Sequence, residues 1–261
     1  MVRKVRTLFI SDVHLGTRGC QAAALLSFLR AHEAEQIYLI GDIIDGWRLK
    51  ASWHWPQLHN DVVQKLLRQV RKGVRLVYIP GNHDEFLRDY AGSNFGGVEV
   101  MEEAIHVSAD GRRILIIHGD KFDEVVRNMK WLAHLGDAAY DFAIFLNRQI
   151  SVVRRRMGLP YWSFSAYAKL KVKKAVAFIS AFEEAVAMDA ARHNVDGVMC
   201  GHIHQPTIRR LGDIDYFNTG DWVESCSAIV EMMDGSFELI YWRPEADAHV
   251  AHLPIRIEAA A

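Results

Sequence analysis

Five places in this chain put hard metal-type donors directly after a short apolar run. Leu8-Phe9-Ile10 runs into Ser11-Asp12-Val13-His14, and Tyr38-Leu39-Ile40 into Gly41-Asp42-Ile43-Ile44-Asp45. Val77-Tyr78-Ile79 runs into Pro80-Gly81-Asn82-His83-Asp84, Leu115-Ile116-Ile117 into His118, and Val198-Met199-Cys200 into Gly201-His202-Ile203-His204. Singly, each has a plain alternative. Asp12 and His14 could be a cap or surface pair, and Asp42 and Asp45 a strand-end turn. Asn82 could cap a turn, and His118 could be a satisfied core histidine. His202 and His204 already favour a metal, because alternate strand-end positions can project two imidazoles. All five together read as one metal site of carboxylates, imidazoles and an amide, with no thiolate. That donor set suits manganese, iron or zinc rather than a sulfur-bound cluster.

Runs of this length, rich in β-branched and aromatic residues, are expected as strands buried on both faces. Ligands in α/β sheets gather at the carboxyl ends of strands. The donors are therefore expected to converge on one edge of one sheet. Between them, the pattern predicts a strand at Val5–Ile10, a helix near Gln21–Glu33, and a helix opened by Pro56 and closed by Gly73. A strand at Arg75–Ile79 follows, then strands within Val98–Ile117 joined by an Asp110-Gly111 turn. From 122 to 192 the apolar spacing becomes helical, as in Leu132, Leu135, Ala139, Phe142 and Leu146, with Gly158-Leu159-Pro160 as a break. Two or three helices are expected there, inserted between the fourth and fifth donor strands. Strands return at Val198–Cys200, Thr207–Leu211, Ile214–Asn218, Ser227–Met232 and Phe237–Trp242. The expected organisation is one discontinuous α/β domain over 1–121 and 193–245, a helical insertion over 122–192 and a tail over 246–261.

The chain has 261 residues, half of them apolar, and a net charge of −1. It can bury a large core, and it has no global field that would draw in nucleic acid. Cys20, Cys200 and Cys226 have no CxxC spacing and are expected as reduced, buried thiols. The N-terminal apolar stretch is too short for a secretory signal, and no window is long enough to span a bilayer. A cytoplasmic protein, peripheral to a membrane at most, is the expectation.

The order DxH, GDxxD, GNHD, H, GHxH, from residue 12 to residue 204, resembles the calcineurin-like metallophosphoesterases. The resemblance implies an αββα sandwich with two divalent metals and hydroxide attack on phosphorus. Asp12, His14, Asp42 and His204 would hold one metal; Asp42, Asn82, His118 and His202 would hold the other, with Asp42 as the bridge. Manganese is the preferred metal by resemblance; zinc is favoured by intrinsic affinity, and iron also fits the donors. His83 and Asp84 are the catalytic candidates. His83 would donate a proton to the leaving group or stabilise the transition state, the alternative being a structural turn residue. Asp84 and Asp45 would orient ligand imidazoles. A non-catalytic scaffold on this fold should have lost ligands, and this chain keeps all seven.

Within that superfamily the chain is most similar to the UDP-2,3-diacylglucosamine pyrophosphohydrolases of lipid A synthesis, which release UMP. Trp47 follows the second motif, His118-Gly119-Asp120 leads into a helical insertion, and that insertion has the place and size of the family's acyl-gripping lid. Asn82, His83 and His202, with Lys169 and Lys173 of the insertion, are the expected substrate contacts. Between Val125 and Phe182 there are ten Lys and Arg against two Asp. Trp131, Tyr140, Phe142, Phe145, Tyr161, Trp162, Phe164 and Tyr167 are interleaved with them. Such a lid fits an anionic amphiphile or an anionic leaflet; a solvated helical face and a nucleic-acid groove are the alternatives. One residue departs from the pattern: these pyrophosphohydrolases typically carry Arg where this chain has His83, which opens the choice of another phosphoester substrate.

Overall fold

Four of the five donor-bearing runs end strands whose last residues are buried on both faces, in a computed structural model that describes residues 2–128 and 164–242. These are β1 (Arg3–Ile10), β2 (His32–Ile40), β3 (Arg75–Ile79) and β8 (Gly197–Cys200). The fifth, β7 (Arg113–Ile116), has the same pattern after its exposed Arg113.

The strands divide between two sheets. The seven-stranded sheet has the order β12 (Phe237–Tyr241), β11 (Ser227–Glu231), β1, β2, β3, β5 (Val98–Val100), β4 (Asn94–Phe95). Strands β1, β2, β3 and β5 run parallel, and β11 is antiparallel to β1. The five-stranded sheet has the order β6 (Ala104–Val107), β7, β8, β10 (Ile214–Asn218), β9 (Thr207–Leu211), with β7, β8 and β10 parallel. The expectation of a single sheet edge is thus corrected. His118 and His202 follow strands of the second sheet, so the donors meet where the ends of two sheets come together. A continuous apolar run reports burial on both faces but not which strand it pairs with. That choice rests on non-local partners such as Leu115 with Val198.

Period-two alternation assigns the two faces of the larger sheet. Phe9, Tyr38, Ile40, Val77 and Ile79 point between the sheets, against Ile114, Ile116, Met199 and Phe217. Leu8, Ile10, Leu39 and Leu76 face the opposite way, onto Leu25, Phe28 and Leu29 of α1 (Ala22–Ala31) and Val62 and Leu66 of α3 (Gln57–Arg71). Pro56 precedes α3, and Gly73 ends it at a φ of 92°, the two punctuation marks the sequence carries. A short helix, α2 (Gly46–Ala51), was not expected. Asp45 nucleates it by accepting a 2.8 Å hydrogen bond from Arg48 N.

The chain divides into two units, Met1–Asp120 with Ala187–Ala261, and Lys121–Val186. The second contains α4 (Phe122–Asn128) and most of α5 (Phe164–Arg192), with Phe122 edge-on to Phe182 at 6.2 Å. Gly158-Leu159-Pro160 and the 246–261 tail lie outside the described residues. No helix among those described is long and apolar enough to cross a membrane.

Candidate metal centre

The loops after β1 and β2 continue the sheet ladder past the strands. Asp12 N donates to Gly41 O at 3.0 Å, His14 N to Asp42 O at 2.9 Å and Leu15 N to Ile43 O at 2.8 Å. On the second sheet, Gly201 N donates to His118 O at 3.1 Å. This pairing carries four of the five motifs to one place. The backbone there is not relaxed. Asp12, His14, Asp42, His202 and His204 all have φ between 50° and 68°. Five of the seven donors thus occupy the left-handed region, at roughly 1–2 kcal/mol each for a residue with a Cβ. Strain of this kind persists where a surrounding structure over-determines it, and it clusters at functional sites.

Among the described residues the side chains form three groups whose donor atoms lie within 4.8 Å of one another, Asp12–His14–His204, Asp42–His118–His202 and, sharing His14 with the first, His14–Asp45–His83. His118 Nδ1 contacts the Ile40 carbonyl at 2.9 Å. A carbonyl only accepts, so Nδ1 carries the proton and Nε2 is the atom left to bind a cation. His118 Nε2 lies 3.4 Å from Asp42 Oδ2, and His204 Nε2 3.0 Å from Asp12 Oδ1, but neither contact has hydrogen-bond alignment. The second oxygen of each aspartate is fixed from the backbone. Asp42 Oδ1 accepts from His83 N at 2.8 Å, and Asp12 Oδ2 accepts from His202 N at 3.0 Å and from the Ser11 hydroxyl.

Charge in this pocket is arranged for a cation. Burial raises the Asp12 and Asp42 carboxyls, but nearby imidazoles outweigh it and hold both below the ordinary aspartate value. Burial lowers His118, yet the Asp42 carboxylate pushes it up to about 10. A proton on Nε2 is the stand-in a divalent ion would displace.

The donors also pass a test of fit. Asp12 Oδ1, Asn82 Oδ1 and His118 Nε2 are buried with no hydrogen-bond partner, a costly state for a polar atom unless something binds it. Glycine keeps the space open. A Cβ at Gly81 would collide with Asp42 Oδ1 and His118 Nε2, and one at Gly201 with Asp12 Oδ2 and Ser11.

The family model of the calcineurin-like phosphoesterases matches residues 5–206, which include every one of these donors. The chain belongs to that family. A UDP-2,3-diacylglucosamine hydrolase of Azotobacter vinelandii is 26% identical over 208 residues, 78% of this chain and 84% of that one. One of Vibrio atlanticus is 26% identical over 243 residues, 90% of this chain and 96% of that one. The family match and the relatives together make this chain a metal-dependent hydrolase. Among solved structures, vacuolar protein sorting 29 of Cryptosporidium parvum aligns over 91% of both chains at 10% identity, with a TM-score of 0.45.

The remaining family motif residues surround the Asp12 and Asp42 groups. Asp45 Oδ2 lies 3.2 Å from His14 Nδ1, a hydrogen bond that orients this ring, and 3.0 Å from His83 Nδ1 without hydrogen-bond alignment. Trp47 covers the other side of His83, with ring centroids 4.2 Å apart. Asp84 differs from the expectation that it orients an imidazole. Its carboxylate accepts from Gly81 N at 2.6 Å, Ile43 N at 2.8 Å, Asp42 N at 3.2 Å and the Tyr78 hydroxyl at 2.5 Å. It therefore binds the Asp42 loop to the Asn82 loop through backbone amides. Burial pushes its carboxyl above the ordinary aspartate value despite the Tyr78 hydroxyl.

Asn218-Thr219-Gly220-Asp221 ends a strand, which in sequence fits either an approach to the site or a plain turn; in the structure Asn218 and Thr219 support the centre, as does Ser11, which the sequence does not single out. Ser11 Oγ is 2.5 Å from Thr219 Oγ1, and Asn218 Nδ2 donates to Gly201 O at 2.7 Å. Asn218-Thr219 ends an apolar strand, the signal that marks the other motifs, but carries no metal-type pair. Lys169 and Lys173 fall on α5 at positions whose side chains lie outside the described residues. The three cysteines are free, Cys200 buried and the others half-buried. Of the histidines outside the motifs, His59 accepts from Gly16 N at 3.0 Å and His106 contacts Glu231 at 2.8 Å.

Proposed function

We propose that this chain uses two divalent cations, manganese in preference to zinc or iron, to hydrolyse a pyrophosphate in a UDP-2,3-diacylglucosamine-type lipid precursor, releasing UMP. The observation that carries the reading is the meeting of Asp12, His14 and His204 beside Asp42, His118 and His202, with buried donor atoms left unsatisfied. The names of these relatives support the substrate class.

Asp12, His14 and His204 would hold one cation, and Asn82, His118 and His202 the other, with Asp42 shared. Bound divalent ions supply an acidified water at neutral pH and neutralise charge on the phosphoryl oxygens. The chain's own side chains do the rest. Asp45 Oδ2 lies 3.0 Å from His83 Nδ1 without hydrogen-bond alignment, and His83 Nε2, 4.0 Å from Asp42 Oδ2, is the atom facing the centre. As the new P–O bond forms and the bridging P–O bond breaks, the Nε2 proton passes to the leaving oxygen. Asn82 and His202 contact the phosphoryl group, and Lys169 and Lys173 add cationic contacts to the substrate. The basic, aromatic insertion takes the acyl chains and rests against an anionic leaflet from the cytoplasmic side.

His83 supports a second reading, hydrolysis of a different nucleotide or phospholipid ester. Arg offers phosphate a permanent planar fork, whereas His can give up a proton. One comparison separates the two. The manganese-loaded protein is assayed on UDP-2,3-diacylglucosamine, on UDP-N-acetylglucosamine and on bis-p-nitrophenyl phosphate, before and after chelation. Chelator-sensitive turnover with at least tenfold preference for the acylated substrate is expected. Chelator-sensitive turnover without that preference would move the chain to the second reading. No metal-dependent turnover on any of the three would sink both.

A further inference from the structure

A cleft of about 650 Å³ opens directly beside the metal-type donors, with His14, His83 and His204 forming one end. Arg18, Arg48 and Trp53 also line it, and none of them belongs to a family motif. The volume is ordinary for a small-molecule site. All of its lining residues belong to the unit Met1–Asp120 with Ala187–Ala261.

Three features give this cleft a chemical character. Arg18 and Arg48 are exposed, and among the described residues neither guanidinium has an ion-pair partner, whereas Arg3, Arg6, Arg75, Arg88 and Arg112 of the same unit each do. Trp53 is 76% exposed, the most exposed large apolar side chain among the described residues. Among the described residues its one ring neighbour is Trp55, at 6.3 Å, so most of the indole is open. Finally, the walls are held in register with the metal-type centre. Asp45 uses Oδ2 for His14 and Oδ1 to cap α2, the helix that carries Arg48. The facing loop packs on the same helix: a Cβ at Gly16 would sit 2.7 Å from Leu49 Cγ, and Gly16 N is tied to His59.

Resting on the pyrophosphatase reading above, we infer that this cleft seats the nucleoside monophosphate half of the substrate. The base stacks on Trp53, and Arg18 and Arg48 take the phosphate charge as it leaves the reacting centre. An indole face recognises any base through its π-surface, and two unpaired guanidinium groups match a phosphate bidentately. A cleft serving an acyl chain would present neither feature.

The test measures direct binding of UMP and of ribose 5-phosphate to the manganese-loaded full chain by equilibrium dialysis. Metal content is read in parallel to verify that each variant is folded and loaded. Trp53→Ala is expected to weaken UMP by roughly 5- to 100-fold and to leave ribose 5-phosphate unchanged, with Trp53→Phe restoring most of the loss. Arg18→Gln combined with Arg48→Gln is expected to weaken both probes. UMP binding untouched by Trp53→Ala, or both probes weakened equally by it, would overturn the assignment. The outcome is separable from the proposed reaction. Trp53-dependent UMP binding without turnover of the acylated substrate retains the cleft and removes that substrate. Turnover with UMP binding and KM indifferent to Trp53 retains the hydrolase and removes the cleft.

Discussion

Asp42 has two duties that compete for its oxygens. Oδ1 accepts from His83 N and so fixes the loop that presents Asn82, while Oδ2 faces His118 across 3.4 Å. A shared carboxylate offsets the repulsion between two cations held roughly 3.5–4 Å apart. Asp42→Ala should therefore lose both ions and all turnover, measured by elemental analysis of the dialysed protein and by phosphodiester hydrolysis. A variant that retained two ions and activity would remove Asp42 from the bridging position. His83 stands differently: it lies against Asp45 and Trp47, and the resemblance gives it a role on the leaving group rather than as one of the seven ligands. His83→Ala should keep its metal content and lower kcat by roughly 10²–10⁴-fold on a poor leaving group. The loss should shrink on p-nitrophenolate, which leaves without a proton; equal losses on both leaving groups would argue for charge stabilisation rather than proton donation.

The pairing of the two sheets depends on a buried polar contact at the far end of the strands from the donors. Glu231 of β11 accepts from Arg6 and Thr7 of β1 at 2.7 Å each, contacts His106 of β6 at 2.8 Å, and accepts from Ala109 N at 2.7 Å. It thereby joins the larger sheet to the β6–β7 hairpin of the smaller one. Burial raises its carboxyl, but His106, Thr7 and the Ala109 amide together hold it below the ordinary glutamate value. A carboxylate depressed on folding adds stability above its unfolded value, near pH 4.3, and loses it as pH falls through the lower folded value. Glu231→Gln should cost about 1–3 kcal/mol at neutral pH, because it leaves buried donors short of an acceptor. The gap between wild type and variant, read from urea midpoints, should narrow below about pH 4; a gap constant from pH 7 to pH 3 would mean the charge contributes nothing. None of this was legible in the sequence, where Glu231 looked like the end of an ordinary strand. The donor strands were legible because burial on both faces leaves uninterrupted apolar runs. Their division between two sheets was not, because strand pairing is set by partners a hundred residues away. Short α2 escaped notice because its cap, Asp45, was already accounted for as part of a metal motif. Arg18, Arg48 and Trp53 form no motif in the sequence, because an arginine or tryptophan beside a motif gains meaning only when a cleft brings it into view.

At the scale of the molecule, net charge is nearly zero while its distribution is uneven. The stretch between Val125 and Phe182 has an excess of eight positive charges in a chain of net −1. Long-range attraction to an anionic surface depends on such a local excess rather than on the total, and each Lys or Arg near an anionic leaflet contributes about 1 kcal/mol. Arg154, Arg155 and Arg156 lie outside the described residues, and their adjacency in the sequence is what makes them a test. Replacing all three with Glu changes the local charge by six without touching a donor of the metal-type centre or a wall of the cleft. If the insertion rests on membrane, the wild-type protein should sediment with vesicles containing phosphatidylglycerol and be released as ionic strength rises. The triple variant should remain in the supernatant at every salt concentration. Turnover of a soluble phosphodiester should stay level in both proteins, since that reaction needs no surface, while turnover of vesicle-borne acylated substrate should fall in the variant alone. Equal sedimentation of the two proteins, or none by either, would leave the positive stretch as a solvated face and place substrate capture elsewhere.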